Sequence, residues 1–306
     1  MLLNIAVELF FAYLFILLSS YNQFNTKYHY YYALEAYNSK QNQQALLELE
    51  KVLVYDEGYA PAYFLIGKII FEHNRIALSI QSFNKAIKYS DIPQADYFLQ
   101  RGIAYSHLNN NKFAKRDFDQ VLALQEDKET FDVIGEAYLR LENYQKAVEI
   151  YTIAIAKGFQ TGAYLKRAIA YGLGKNAELA QQDFTIAVEN SQNSTQLLQQ
   201  IADICQYQLQ NYSLSEYFYS QLLEQEKTSR NYLHKAIVQI KQQKDSLAIT
   251  ELDLAIKMDS NFDSVYYLRA VSHVRLSQIE EACQDWTTAK SLGYKGRNST
   301  LDFYCD

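Results

Sequence analysis

The chain has 306 residues, a formal net charge of −6, and only 2 prolines and 10 glycines. So few breakers argue against a β-sandwich, a barrel or a long disordered tail, and 49% hydrophobic against 21% charged residues describes a chain that folds. The acidic balance and the lack of any Lys/Arg run speak against nucleic acid as a partner.

Residues 1–22 stand apart in composition. Leu9–Leu18 (LFFAYLFILL) is an unbroken apolar run followed by Ser19 and Ser20. Its length suits the core of an export signal, roughly 7–15 residues, better than a spanning helix of about 20. The cation that should precede such a core is missing. Glu8 stands in its place, and Lys27 is the first cation after the run. Three readings stay open here: a poor export signal, an uncleaved anchor, or a soluble apolar helix covering the open end of the folded chain.

From residue 26 a pattern recurs. One unit reads Gly135, Ala147, Tyr151, Ala154; the same frame gives Gly102, Ala114, Phe118, Val121 and Ala168, Ala180, Phe184, Ala187. Earlier copies carry Ala33, Ala45, Leu49 and Gly67, Ser79, Phe83. Later ones carry Ala236, Ala248, Leu252 and Ala270, Ala282, Trp286, with a weaker copy at Ser215 and Tyr219. The second markers (45, 79, 114, 147, 180, 215, 248, 282) step by 33 to 35. Apolar residues recur every three or four positions in two stretches per unit, with a polar break such as Asn109-Asn110-Asn111 between them. Each unit is therefore a helical hairpin. One hairpin cannot bury both of its faces, so the units must stack. The sixth unit places Asp203 or Ala202 at its small site, depending on where one residue is inserted, which predicts a kink there.

Charge gives an internal check on this register. Arg101 and Asp117 lie 16 residues apart, as do Arg167 and Asp183, Lys235 and Glu251, and Arg269 and Asp285. In the fourth unit the same two sites are Ile134 and Ile150. The swap of a charge pair for an apolar pair predicts four ion pairs across hairpins.

The pattern resembles the tetratricopeptide repeat family over about eight repeats, residues 26–294. Tyr138 and Tyr171 in first helices, Leu141 before the break, and Ala154 and Ala187 in second helices match it, while the proline that usually closes a unit is nearly everywhere missing. The resemblance implies an all-α fold: a right-handed superhelical solenoid of antiparallel hairpins, with an N-terminal apolar helix and a capping helix over 295–306.

It also implies that first helices line a concave groove that binds a peptide or helix of another protein. The outward positions are Tyr30, Leu34 and Tyr37; Phe64, Lys68 and Phe71; Leu99, Ile103 and His107; Asp132, Glu136 and Arg140; Leu165 and Ile169; Leu233 and Ile237; Tyr267 and Val271. The Lys and Asn that would clamp a C-terminal carboxylate are replaced by Tyr30 and Leu34. An apolar, aromatic groove with an acidic patch at Asp132 and Glu136 is expected.

At the end of the chain, Cys283 precedes Tyr294 by 11 residues and Cys305 follows it by 11, so an antiparallel fold at Tyr294 would bring them level. The segment from Ala282 to Cys305 also resembles the close of exported repeat proteins of Bacteroidota-type bacteria. A disulfide and export then support each other; reduced core cysteines in a cytosolic protein are the alternative. Cys205 would be an odd, buried thiol.

No catalytic, cofactor or metal motif is present. The five histidines are scattered over different repeats, and Gly172-Leu173-Gly174 lacks the strand before it and the Lys-Ser/Thr after it that a phosphate loop needs. The expected function is a non-enzymatic scaffold, membrane-tethered or exported, with membrane contact through residues 1–20. The alternative is a permanent subunit of a membrane-associated assembly.

Overall fold

The computed structural model describes residues 2–305, with the side chains of residues 2–12 and of Thr161 left aside. The described residues form seventeen helices and no strand. The chain divides into two compact units, 1–143 and 144–306. The first unit holds α1 (Leu2–Asn38), α2 (Asn42–Tyr55), α3 (Ala60–Glu72), α4 (Ile76–Tyr89), α5 (Ala95–His107), α6 (Asn111–Leu124) and α7 (Lys128–Arg140). The second holds α8 (Tyr144–Ala156), α9 (Gln160–Leu173), α10 (Ala177–Asn190), α11 (Thr195–Asp203), α12 (Tyr212–Gln225), α13 (Ser229–Lys241), α14 (Asp245–Met258), α15 (Asp263–Arg275), α16 (Ile279–Ser291) and α17 (Ser299–Cys305).

The small residues work as the repeat requires. Gly67 lies so close to Phe83 that a β-carbon there would stand 2.5 Å from the ring, and Gly102 stands in the same relation to Phe118 at 2.7 Å. The large residue of the second helix, aromatic or leucine, thus fills the space that the small residue leaves. Phe83, Phe118, Phe184, Tyr219 and Trp286 are all buried. Overfilling such a site with one methyl costs about 1–3 kcal/mol.

Each hairpin turn contains one non-glycine residue in the left-handed region: Lys40, Asn74, Asn109, Glu142, Lys175, Gln210, Gln243 and Ser277. The next residue's N–H then bonds back to a carbonyl five residues earlier, as Asn110 does to Tyr105 and Asn176 to Tyr171, closing the helix end. In the sixth repeat the bond reaches six residues back, from Asn211 to Cys205. The extra residue sits in a π-helical turn, Ile204–Gln208, that prolongs α11. This settles the ambiguity of the small site. Ala202 is buried and accepts a hydrogen bond from the Ser215 hydroxyl at its carbonyl, while Asp203 turns to the Tyr219 hydroxyl.

The ends differ. α1 runs without a break from the apolar segment into the first hairpin, so no linker separates residues 2–22 from the first repeat. At the other end, Cys283 and Cys305 are joined, with Cα atoms 5.1 Å apart. Only Leu301 of α17 is buried. Burying it contributes about 2 kcal/mol, whereas ordering a residue costs about 1–2 kcal/mol of entropy. The cross-link therefore has a large share in holding this short helix down.

Candidate functional site

All four expected ion pairs form. Arg101 holds Asp117 with two N–H donors at 2.8 and 2.6 Å, Arg167 holds Asp183 at 2.7 and 2.8 Å, and Arg269 holds Asp285 at 2.7 and 2.6 Å. Lys235 meets Glu251 at 2.8 Å. Ile134 and Ile150 are both buried.

Each arginine does something the sequence did not announce. Its remaining nitrogen reaches back to the preceding second helix: Arg101 to Asn84 at 2.7 Å, Arg167 to Thr152 at 3.0 Å, Arg269 to Asp253 at 2.6 Å. The planar fork thereby ties three helices, which a lysine with its single nitrogen does less well. Hydrogen bonding to Asp183 and Asp285, outweighing burial, pushes the Arg167 and Arg269 pKa values up. These arginines are structural.

The expected groove positions fall into rows on the first helices. In the first unit Tyr30, Leu34, Tyr37, Phe64, Lys68, Phe71, Leu99 and Ile103 are half-buried, and His107 is exposed. They touch across hairpins. Tyr30 packs edge-on to Tyr59 at 5.2 Å, and Phe64 lies 4.6 Å from Tyr97. The Lys68 ammonium sits 5.1 Å over the Tyr37 ring and 5.9 Å over Phe64. Tyr37 donates to the Glu72 carboxylate at 2.5 Å, and Phe71 packs edge-on to His107 at 5.0 Å. His107 and Arg140 meet at 2.9 Å, Asp132 is half-buried and Glu136 exposed. Burial and then Tyr59 and Tyr97 push the Tyr30 hydroxyl up to about 12; burial and Glu72 do the same to Tyr37. Burial and Arg140 lower His107.

In the second unit Leu165, Ile169, Ile237, Tyr267 and Val271 are half-buried. Leu233 departs from expectation. It is buried in a cluster with Tyr232, Ala236, Ile240 and Leu252, so it belongs to the core and not to an open face. Tyr59 and Glu72 belong to the first unit's face, and Tyr97 to the core beneath Phe64; all three went unnoticed in the sequence. Their signal was proximity in space, one repeat away from Tyr30, Tyr37 and Phe64.

Cys205 is buried, and burial alone pushes its thiol up to about 12, which leaves it unreactive. Among the described residues no group of three His, Cys, Asp or Glu side chains is placed to hold a metal ion. Among them, too, no helix is long and apolar enough to cross a membrane.

No sequence-family model matches the chain, and no curated protein matches it. Solved structures do. The C-terminal part of a tetratricopeptide repeat-containing protein from Cytophaga hutchinsonii superposes with a TM-score of 0.51 at 16% identity, over 79% of this chain and 99% of that one. The fold is that of a tetratricopeptide-repeat array. The MamA protein aligns with 56% of this chain and 94% of its own at 21% identity (TM-score 0.48). A tetratricopeptide repeat protein from Parabacteroides merdae aligns with 92% and 97% at 15% identity (TM-score 0.40). At these identities the likeness to the tetratricopeptide-repeat structures is one of fold.

Proposed function

We propose that the chain is a protein-interaction scaffold without catalytic chemistry, tethered to or exported across a membrane. Its partner, a peptide or helix of another protein, docks on the first-helix face of residues 1–143. One observation carries this reading: the row of half-open apolar and aromatic side chains from Tyr30 through Tyr37, Lys68 and Phe71 to Ile103, in which Tyr30, Tyr37, Lys68 and Phe71 are held by a neighbouring hairpin. Rigid, partly open aromatics favour docking because they bury much area at little entropic cost. The apolar surface of α1 and the Cys283–Cys305 bridge support a place at or beyond a membrane.

The test is affinity purification of the full chain from its host in mild detergent, alongside Lys68→Glu and the double variant F64S/F71S. A stoichiometric partner should be retained by the parent chain and lost at least tenfold from both variants, with helical circular dichroism unchanged in K68E. Equal retention by K68E and the parent would remove this face from the function. Retention that survives high salt would favour a permanent subunit over an exchangeable dock.

A further inference from the structure

α1 projects past its own hairpin. Its partner α2 packs on the C-terminal part, where Thr26, Ala33 and Ala36 are buried. The preceding turns are different. Tyr13, Leu14, Phe15, Ile16, Leu17 and Leu18 are consecutive, apolar, and each 40–74% exposed. Successive residues of an α-helix point about 100° apart, so six in a row face every direction. A protein groove covers one side of a helix, so one that took Phe15 and Leu18, about 60° apart, would leave Tyr13, Ile16 and Leu17 in water. A surrounding that suits all six is apolar on every side.

Three further features agree. No charged residue occurs from Leu9 to Thr26. Three of the polar side chains that follow the run fold back on the helix: Ser20 donates to the Ile16 carbonyl at 2.9 Å, Asn25 to Tyr21 at 2.8 Å and Thr26 to Asn22 at 2.9 Å. The two hydroxyl donors and one N–H of the Asn25 amide are therefore satisfied without water, as an apolar surrounding favours. Among and beyond them exposed aromatics form a stripe, Tyr21, Phe24, Tyr28 and Tyr31, interleaved with exposed Asn22, Gln23 and Lys27. Aromatics next to a lone cation suit the headgroup level of a bilayer. The polar cluster Ser19, Ser20, Asn22, Gln23 and Asn25 stops the fully apolar part at Leu18, so the segment suits insertion and not crossing.

We propose that α1 seats residues 13–18 in a lipid bilayer surface, with Tyr21, Phe24 and Tyr28 at headgroup level. This deepens the tethered reading above and rests on it, naming lipid as what the N-terminal helix meets. Partner capture in detergent needs no bilayer, so either idea can fail without the other.

The experiment uses the full chain, purified in mild detergent and mixed with phosphatidylcholine vesicles before the detergent is removed. In density-gradient flotation the chain should rise with the vesicles. F15D/L18D should lower the floated-to-pelleted ratio at least tenfold while its circular dichroism matches the parent, because both side chains already face solvent. F24S/Y28S, on the aromatic stripe, should lower it less. Three results would overturn the proposal: a parent chain that stays at the bottom, a F15D/L18D variant that floats equally well, or a discrete dimer in vesicle-free buffer that these substitutions dissolve while no flotation occurs.

Discussion

The fifth and sixth repeats solve one packing problem in two ways. In α9 and α10, Arg167 and Asp183 pair beside the small residue Ala168 and the aromatic Phe184. In α11 and α12 the matching sites are Ile201 and Phe218, both buried in one apolar cluster, and they lie 17 residues apart instead of 16. The π-turn absorbs the difference. Its polar pairing lies at Asp203 and Tyr219, two places past Ile201 and one past Phe218, and His234 stacks on that tyrosine at 5.7 Å. One inserted residue thus need not break a repeat. It shifts which neighbours are charged and which are apolar.

The largest expected effect tests whether the fifth repeat depends on its charges. Asp183 is nearly buried and Arg167 about one-sixth exposed, between the limits for surface and buried pairs. Arg167→Ala or Asp183→Ala should each cost about 2–3 kcal/mol by urea denaturation. R167I/D183I, which copies the apolar occupancy of Ile134 and Ile150, should fall within about 1 kcal/mol of the parent. Single variants that lose nothing would erase the distinction between the two repeats.

Next comes Tyr219→Phe, which removes the hydrogen bond to Asp203. A loss of about 1 kcal/mol is expected, since Asp203 is half-buried and can turn to water. A loss matching Asp183→Ala would mean that the displaced pairing is worth the original one.

The seam between the sixth repeat and the seventh, where His234 of α13 stacks on Tyr219, should be acid-sensitive. Burial lowers the His234 pKa below the ordinary value near 6.5, against an opposing pull from Asp203 that exceeds the further lowering by Arg230. The unfolded chain then takes the proton first. Stability is full above about pH 6.5 and falls as the pH drops below it. His234→Phe should flatten the melting temperature between about pH 5.5 and 6.5; an unchanged slope would locate the sensitivity elsewhere.

The smallest effect compares turns. Lys175 (φ 65°) and Gln210 (φ 51°) both occupy the left-handed region, which suits glycine. Lys175→Gly and Gln210→Gly should each gain from a few tenths to about 1 kcal/mol, because the relief of strain exceeds the added freedom of the unfolded chain. A loss at Gln210 alone would show that the π-turn constrains its own exit.

Much of this was legible in the sequence, and the reasons are local. The hairpins showed because Gly102 and Phe118, or Gly67 and Phe83, must meet, which keeps one site small and the other large. The ion pairs showed because Arg101, Arg167, Lys235 and Arg269 each find an acid at one fixed offset. The second grip of the arginines did not, because Asn84, Thr152 and Asp253 share neither chemistry nor spacing. The turn residues were hidden for the same reason: Lys, Asn, Glu, Gln and Ser all fill a place where glycine would have been conspicuous. Leu233 misled because its position, three before the small residue, lies at the border between groove and core. The half-burial of its counterparts Tyr30, Phe64, Leu99 and Tyr267 shows how little rotation separates the two. The sequence also marked an extra residue in the sixth repeat but could not say that a π-turn would hold it.

The arginine forks bear on how the array comes apart. Arg101, Arg167 and Arg269 each join a hairpin to the second helix before it, so melting one of those hairpins also unpins its neighbour. In a one-dimensional chain of repeats such links raise the coupling between adjacent sites. Lys235 pairs with Glu251 in its own hairpin, and Ile201 carries no charge at all. Amide exchange should therefore rise together in the helices that a fork joins, α8 with α9 and α10 or α14 with α15 and α16, and step between the fifth repeat and the sixth, where Ile201 stands in the arginine's place.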